Sequence, residues 1–312
     1  MSLLGGLRDV VPTPPEHRVW ISRAEALDTL RCTPEELAQL VAAGLVEEDG
    51  RHDYCDVWNV GLLSGTGRSS PERIMIFFAR MLKSYGADWV SARAYEIVGW
   101  AQCPRAEHCP SSEWSAPVLP DVQWQHEEIQ AGRAEWRGRV ELTGNTATVR
   151  DPRVREVWDD LLRRYRFHFT PMTLSSDVAG TRHRGVGDCD SLCQVLMSEL
   201  LDRGVAAEQE SGYIFGGARL GLHSWVRLVD TDGEVKILDP AMALLSDLFF
   251  TPEYKAFCCG SGSNRVLRRA SREGMFAAHP CVTEDGRIFY EFTLRSIRPG
   301  RVPGPRCSEG AG

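Results

Sequence analysis

Apolar residues recur at helical spacing in the stretch that begins near residue 189. They are Leu192, Val195, Leu196, Leu200 and Leu201. Residues three or four positions apart lie on one face of a helix, so this spacing predicts an amphipathic helix. Gly204 is a typical residue to end it, and Val205 begins an extended run. Cys189 therefore lies at or just before the N-terminus of the predicted helix.

Alternation of apolar and polar positions replaces the helical spacing further along the chain. Residues 222–228 alternate, which predicts a strand and places His223 on one of its faces. A second apolar run, residues 235–238, ends at Asp239. The turn-forming residues 231–234 between the two runs predict a hairpin, in which the strands lie side by side.

The rest of the chain shows weaker patterns. Thr33-Pro34-Glu35-Glu36 has the order of an N-cap, a first-turn proline and an acidic first turn, so a helix begins there. Other helices are predicted at residues 22–31, 74–85 and 90–100, with one more opening at 151–152. Strands are predicted at residues 122–149 and 287–297. Loose or irregular chain is expected at residues 1–16, 167–187 and 240–254.

Composition and charge limit the classes of protein to which the chain could belong. The 312 residues are 43% hydrophobic and 25% charged, as in a globular protein with room for two domains or for one extended domain. The net charge of −7 argues against general attraction to nucleic acid. No apolar stretch is long enough to span a bilayer, so no membrane partner is expected. Residues 1–11 lack the apolar region of a signal peptide, and we expect a cytoplasmic protein with reduced thiols.

Three residues along the chain could together supply a nucleophile, its base and a group that orients the base. A thiol needs a base to become a thiolate, and the base needs a group that orients it. Cys189, His223 and Asp239 supply these three roles at the ends or faces of predicted elements. The free N–H groups at a helix N-terminus favour a thiolate, whereas the neighbouring Asp188 and Asp190 oppose it or cap the helix.

Four short motifs resemble those of the transglutaminase-like superfamily of papain-fold cysteine enzymes, especially its bacterial and phage-associated members. They are Gly187-Asp188-Cys189-Asp190, Gly212-Tyr213, His223-Ser224-Trp225 and Asp239-Pro240. The resemblance covers residues 150–245. An arginine-rich composition, with only three lysines among 36 basic residues, is typical of a high-GC bacterial genome.

The resemblance implies an α+β fold. Its papain-like core has the cysteine-bearing helix packed on an antiparallel sheet, and an N-terminal helical extension precedes it. We expect five segments. They are a flexible N-terminus at 1–16, a helix-turn-helix-like module at 17–62, a helical and then β accessory region at 63–150, the catalytic domain at 151–297, and a disordered tail at 298–312.

The resemblance also implies acyl chemistry through a thioester on Cys189. The substrate is a peptide, a protein, or a small acyl or amine compound, and the acyl group passes to water or to an amine. We expect Asp188, Asp190, Tyr213 and Trp225 to surround the substrate or its oxyanion. The Cys189 N–H is one candidate oxyanion donor. No Gln or Asn lies in residues 167–188 to supply the second donor. The alternatives are a binding or scaffold protein that keeps the fold without turnover, and a regulator.

Residues 18–60 resemble a winged helix-turn-helix of the MerR or excisionase type. Residues 17–60 carry nine acidic residues against four arginines, a net charge of −5. Phosphate contacts dominate nucleic-acid affinity, so this charge disfavours duplex binding. We expect residues 17–62 to pack on the core or to dock a protein partner.

No cofactor is predicted, and neither is a metal. The densest group of potential ligands is Cys103, His108 and Cys109, with His279 and Cys281 far along the chain. Their spacing fits no known zinc module, and no calcium loop is visible.

Overall fold

The structure is a computed structural model. It describes residues 2–84, 88–103, 109, 111–215, 221–269, 276–277, 279, 288–289 and 291–296. The described chain is mixed α+β, and all its strand pairs but one are antiparallel. None of its described helices has the length and apolar character needed to cross a membrane.

The N-terminal segment forms a helical unit with its own apolar core. Its elements are α1 (Leu3–Asp9), β1 (Trp20–Ser22), α2 (Arg23–Leu30), α3 (Pro34–Ala42), β2 (Glu47–Glu48), β3 (Arg51–Asp53) and α4 (Tyr54–Leu63). Ser22 and Thr33 each begin a helix through a capping box, in which a glutamate three residues on returns the hydrogen bond. The helix predicted at Thr33 is therefore confirmed, and so is the one at residues 22–31.

The expectation of a loose N-terminus at residues 1–16 is wrong for the residues that form α1. Ser2 caps α1 through its hydroxyl, and Leu3 is buried in the core of the N-terminal unit. α1 lies so close to α4 that a Cβ at Gly6 would come within 2.7 Å of the Val60 carbonyl oxygen. The sequence pattern misses this helix because the glycines that allow the close contact also lower its helix propensity.

A long helix and a four-stranded sheet follow. The helix is α5 (Ser70–Ser84), and the strands are β4 (Arg93–Gln102), β5 (Gln123–Gln130), β6 (Arg133–Leu142) and, near the end of the chain, β16 (Glu291–Ser296). The strand order is β16-β4-β6-β5. The helix predicted at residues 90–100 is wrong. Tyr95, Ile97 and Ala101 are buried at alternate positions, which is the period of a strand with one face on the core.

The segment around the candidate residues has a helix on a five-stranded sheet. Its helices are α6 (Pro152–Arg164), α7 (Val178–Arg184), α8 (Cys189–Asp202), α9 (Pro240–Phe249) and α10 (Pro252–Phe257). Its strands are β7 (Arg166–Phe167), β8 (Val186–Gly187), β9 (Ala207–Ile214), β10 (Gly221–Val229), β11 (Val235–Leu238), β12 (Cys259–Gly260) and β13 (Val266–Arg268). The sheet order is β12-β11-β10-β9-β13, and a separate two-stranded pair joins β14 (Phe276–Ala277) to β15 (Ile288–Phe289).

The largest apolar core lies between α8 and this sheet. The buried face of α8 includes Leu192, Val195, Leu196 and Leu200, and it packs against Val226 and Leu228 of β10. The predicted helix from Cys189, the predicted hairpin and the helix opening at Asp151-Pro152 are all confirmed.

Two stretches expected to be irregular are helical instead. Residues 240–254 contain α9 and the start of α10, each opened by a cap and a first-turn proline: Asp239 with Pro240, and Thr251 with Pro252. Residues 167–187 contain α7 and β8. The expected disordered tail, residues 298–312, lies outside the described residues.

Candidate active site

Cys189 is the first residue of α8, and the residues beside it set this position. Asp188 is the N-cap, and its Oδ1 accepts the backbone N–H groups of Asp190 at 3.1 Å and Ser191 at 2.9 Å. The Ser191 hydroxyl accepts the N–H of Asp188 at 2.9 Å. The N–H of Cys189 takes no part in this cap. It lies at the positive end of the helix dipole, where an oxyanion would be stabilised.

Gly187 leaves room for this cap. A Cβ at Gly187 would lie 2.5 Å from the Ser191 hydroxyl oxygen. A larger residue would displace the hydroxyl that holds the start of α8, so the glycine of the motif has a steric explanation.

His223 and Asp239 are in direct contact. The distance from His223 Nε2 to Asp239 Oδ2 is 2.6 Å. Asp239 is also the N-cap of α9, and its Oδ1 accepts the Met242 N–H at 3.0 Å. Both carboxylate oxygens are therefore held. Because Nε2 donates to Asp239, Nδ1 is the ring nitrogen available to Cys189.

The hairpin register brings His223 and Asp239 together. Val226 of β10 pairs with Leu238 of β11, so Asp239 follows the last paired residue and lies across from Trp225. His223 is two residues before Trp225 and shares its face of the strand. The two residues are thus diagonal neighbours on one face of the sheet, within reach of each other's side chains.

The surroundings of His223 favour its protonated form. Burial disfavours the imidazolium, since the residue is only 6% exposed. The charge and hydrogen bond of Asp239, with a hydrogen bond to Cys189, outweigh burial and raise the pKa of His223 to about 10. At neutral pH the imidazole keeps its proton, and a cation beside Cys189 stabilises a thiolate there.

Asp188 and Asp190 lie in the same cleft as Cys189. Burial raises the pKa of Asp188, which weakens its electrostatic opposition to a thiolate. Asp190 Oδ1 accepts hydrogen bonds from the Gln209 amide and, at 3.4 Å, from the Ser224 hydroxyl. Gln209 does not line the cleft and therefore does not supply the second oxyanion donor. Its amide is bonded to Asp190 and accepts from Gln194.

Trp225 and Tyr213 differ in their position relative to the candidate site. The Trp225 ring centroid is 6.1 Å from that of His223, and its indole N–H donates to Glu210 at 3.0 Å. Trp225 is thus placed to cover one side of the imidazole. Tyr213 pairs with Leu222, but it does not line the cleft and packs in a separate apolar cluster with Tyr95, Phe215 and Leu267. The structure therefore does not bring Tyr213 to the candidate site.

Gly212, the partner of Tyr213 in the motif, has a structural explanation. It pairs with His223 across the sheet, and a Cβ at Gly212 would collide with the carbonyl oxygen of Leu267 on β13. Glycine at this position lets β13 approach β9 closely beside the imidazole.

An apolar cleft of about 500 Å³ opens over Cys189 and His223. One wall comes from the core around the site, with Phe167, Phe169, Met172, Leu222, Met242 and Leu245. The other wall comes from the N-terminal half, with Trp58 of α4 and Ile74, Met75 and Phe78 of α5. The helical extension is therefore part of the cleft.

A second group of reactive side chains lies apart from this cleft. Cys103, Cys109 and His279 are all buried, and their ligand atoms lie within 4.8 Å of one another. Their spacing along the sequence fits no known zinc module. Two other potential ligands in the sequence, His108 and Cys281, lie outside the described residues.

Comparisons with known proteins give distant likenesses. Neither a protein-family model nor a curated protein matches the sequence. The chain is similar to a structure from Cytophaga hutchinsonii provisionally described as a cysteine protease, with a TM-score of 0.37 and 11% identity over 66% of this chain and 91% of that one. It is also similar to a provisionally described protease from Parabacteroides distasonis, with a TM-score of 0.24 and 14% identity over 41% of this chain and 38% of that one. At these TM-scores neither likeness supports an argument about activity.

Proposed function

We propose that the chain is a transglutaminase-like cysteine enzyme that forms a thioester on Cys189 and transfers the acyl group to water or to an amine. The observation that carries this proposal is the held contact between His223 and Asp239, 2.6 Å long, beside a cysteine at a helix N-terminus. A carboxylate fixed at both oxygens orients an imidazole better than a free surface carboxylate does.

In this proposal each residue has a separate role in the reaction. In the resting site the Cys189 proton is already on His223 Nδ1, and the thiolate sulfur attacks the substrate carbonyl carbon. The Cys189 N–H donates to the oxyanion that forms. His223 then returns the proton to the leaving group as the carbon–heteroatom bond breaks, which leaves the thioester. Water or an amine next attacks the thioester with His223 as base, and the product acid or amide leaves with the thiol restored.

The cleft favours an acyl donor with a large apolar group. Its walls are mostly aromatic and aliphatic side chains, and Ile74, Met172 and Leu222 are exposed at its rim. Burial of apolar surface contributes about 25 cal/mol per Å², so an apolar substituent next to the reacting carbonyl would bind well here. Asp188 and Asp190 are the carboxylates at the reacting end of the cleft.

Intact-protein mass spectrometry tests the proposal. The chain is incubated with a series of activated acyl esters and blocked peptides that differ in apolar substituent length, with and without an added primary amine. We expect a covalent adduct on Cys189 that grows faster with the longer apolar substituents. Appearance of amide product only when amine is added identifies a transferase, and acid product alone identifies a hydrolase.

Two variants serve as controls in that experiment. Cys189→Ala should give no adduct. Cys193→Ala, one turn along the same helix but outside the cleft, should behave as the unmodified chain does. Absence of any adduct across the series, in a protein that circular dichroism shows to be folded, would favour a binding protein that keeps the fold without turnover.

A further inference from the structure

Cys103, Cys109 and His279 converge where the four-stranded sheet ends. Cys103 directly follows β4, and its N–H donates to the carbonyl of Gly132 in the turn between β5 and β6 at 2.8 Å. The Gly132 N–H donates in turn to the Ser111 carbonyl at 3.1 Å. Cys103 and Ser111 of the connection from β4 to β5 thus both lie against this turn. His279 arrives from the C-terminal part of the chain.

The geometry of the three side chains fits a tetrahedral metal site. Their ligand atoms lie within 4.8 Å of one another, and Cys109 Sγ is 3.1 Å from His279 Nε2. Zinc binds thiolate at about 2.3 Å and imidazole at about 2.0–2.1 Å, so ligand atoms around one ion are about 3.5–4 Å apart. Small side-chain shifts would place all three on one ion.

The histidine is already oriented as a ligand. Its Nδ1 lies 2.8 Å from the Glu113 carbonyl oxygen, so Nδ1 carries the proton and the Nε2 lone pair faces the thiols. The Trp114 ring stacks on the imidazole at 3.9 Å with an interplanar angle of 12°. A carbonyl partner on the second nitrogen is the usual arrangement around a metal-bound histidine, because it fixes the ring and its tautomer.

The connection between β4 and β5 is a segment that a bound metal would stabilise. The described residues between Gln102 and Gln123 form no helix or strand. Residues 111–122 alone are about as long as such irregular segments become in compact domains, because ordering them costs entropy. A metal that joins residues 103 and 109 to residue 279 would hold the first part of this connection and the C-terminal segment together.

We propose that Cys103, Cys109 and His279 hold a structural zinc ion. Binding releases two protons, one from each thiol, and leaves two thiolates and a neutral imidazole on Zn²⁺. Thiolate and imidazole together select zinc over the oxygen-seeking divalent ions. Three protein ligands leave one tetrahedral position for a fourth ligand. The site is separate from Cys189, and the proposal does not depend on the proposed acyl chemistry.

Metal content of the full chain tests the site. Protein purified from zinc-supplemented medium and passed over a desalting column should carry about one zinc per chain by elemental mass spectrometry. Cys103→Ser and His279→Asn should each lower this content at least tenfold. Cys32→Ser and His183→Asn, which change the same residue types away from the cluster, should leave it unchanged.

Two measurements on the unsubstituted chain guard against variants that fail to fold. A chelator should lower its thermal unfolding midpoint, and zinc but not magnesium should restore it. Co²⁺ in place of zinc should give the thiolate charge-transfer band and the intense visible bands of a tetrahedral sulfur-bound ion. The proposal would be overturned if the purified protein contained no metal, if the chelator did not change its thermal unfolding midpoint, and if Co²⁺ gave no such band. A mass two hydrogens lower, with the two cysteines joined as a disulfide, would overturn it as well.

Discussion

At the scale of single residues, the environment of each thiol separates Cys189 from the other described cysteines. Burial raises the pKa values of Cys193 and Cys258 well above normal and that of Cys259 to about 12. Burial also raises the pKa of Cys32, which is partly buried in the N-terminal unit. Cys189, in contrast, lies beside His223, whose own pKa is raised to about 10.

Cys189 should therefore react first with iodoacetamide. A thiolate is the reactive form, and a neighbouring imidazolium at a helix N-terminus stabilises it. Limited alkylation at neutral pH followed by peptide mapping measures the order of modification. Cys32 is the matched comparison because it is similarly accessible and lacks a cationic imidazole. Faster labelling of Cys32 would remove the main physical argument for Cys189 as nucleophile.

Asp239→Asn should preserve the fold and slow turnover by about 10²- to 10⁴-fold. In the variant, the side-chain oxygen is needed to accept the Met242 N–H, so the amide NH₂ faces His223 Nε2. That nitrogen must then accept, which places the ring proton on Nδ1 and leaves no base toward Cys189. Steady-state kinetics, with circular dichroism for folding, tests this prediction. Activity within threefold of the unmodified chain would show that Asp239 only caps α9.

At the scale of elements, close contacts between backbones explain glycines that the sequence alone leaves ambiguous. Gly5 and Gly6 are neighbours in α1, and only one faces α4. A Cβ at Gly6 would lie 2.7 Å from the Val60 carbonyl oxygen and 2.9 Å from the Ser64 nitrogen, whereas at Gly5 the nearest atom is the Ser2 hydroxyl at 3.4 Å.

Gly5→Ala and Gly6→Ala should therefore change stability in opposite directions. Alanine in a helix gains up to about 1 kcal/mol over glycine, so Gly5→Ala should be neutral or stabilising. Gly6→Ala must move α1 away from α4 and should destabilise by about 1–3 kcal/mol, the usual range for overpacking. Chemical denaturation of both variants measures the difference. Equal effects would mean that α1 does not pack on α4 in solution.

A buried histidine links α1 to the strand that leads to the active site. His168 Nδ1 donates to the Phe167 carbonyl at 2.8 Å, and Nε2 accepts the Val11 N–H at 3.3 Å. Burial lowers the pKa of His168 to about 4. Neutral in the folded protein, His168 would have an ordinary pKa near 6.5 once unfolded.

The free energy of unfolding should therefore fall as pH drops from about 6.5 to about 4, since only the unfolded state takes up this proton. The full contribution of His168 is about 3 kcal/mol. Asp56, whose pKa burial raises to about 6, acts in the opposite direction over the same range. The prediction is therefore tested by comparing variants. The free energy of unfolding of His168→Gln should depend less on pH over this range than that of the unmodified chain, whereas the exposed His183→Gln should behave like the unmodified chain. Parallel pH profiles for all three proteins would contradict the prediction.

The sequence predicted elements well where local signals agree with the tertiary environment. The helix at Cys189 combines an N-cap, helical spacing and a glycine stop, and the hairpin combines alternation with turn residues, so both are confirmed. The helix predicted at residues 90–100 was wrong because this short mixture of apolar and polar residues does not define its period. Only pairing with β6 and β16 shows that β4 is a strand with alternate positions buried. α9 was missed although Asp239-Pro240 is a helix start, because that pair was interpreted only as a strand end.

At the scale of the whole molecule, the candidate site was partly predictable and its cleft was not. Cys189, His223 and Asp239 lie within about 50 residues of sequence, on or beside elements with clear local patterns, so those patterns could place them. Tyr213 packs away from the cleft with Tyr95 and Leu267 of other segments, and the motif carries no signal for such long-range packing. Trp58 and Ile74 come from more than a hundred residues upstream, and no local pattern relates them to the cysteine.

The N-terminal half should therefore influence which substrates react. Ile74 and Phe77 are neighbours on α5 with nearly equal exposure, 52% and 49%, but only Ile74 lines the cleft. Ile74→Asp places a charge in the apolar wall, and Phe77→Asp places one on the outer face at the same cost to the helix.

We expect Ile74→Asp to lower kcat/KM for substrates with long apolar acyl groups by about 5- to 30-fold, chiefly through KM, because the lost contact is worth about 1–2 kcal/mol. Substrates with short acyl groups should be unaffected, since they do not reach α5. Phe77→Asp should leave both substrate classes unchanged. An equal loss of activity by both variants on long and short substrates would mean that the substitutions act by destabilising α5. In that case the cleft over Cys189 is not the acyl-binding site.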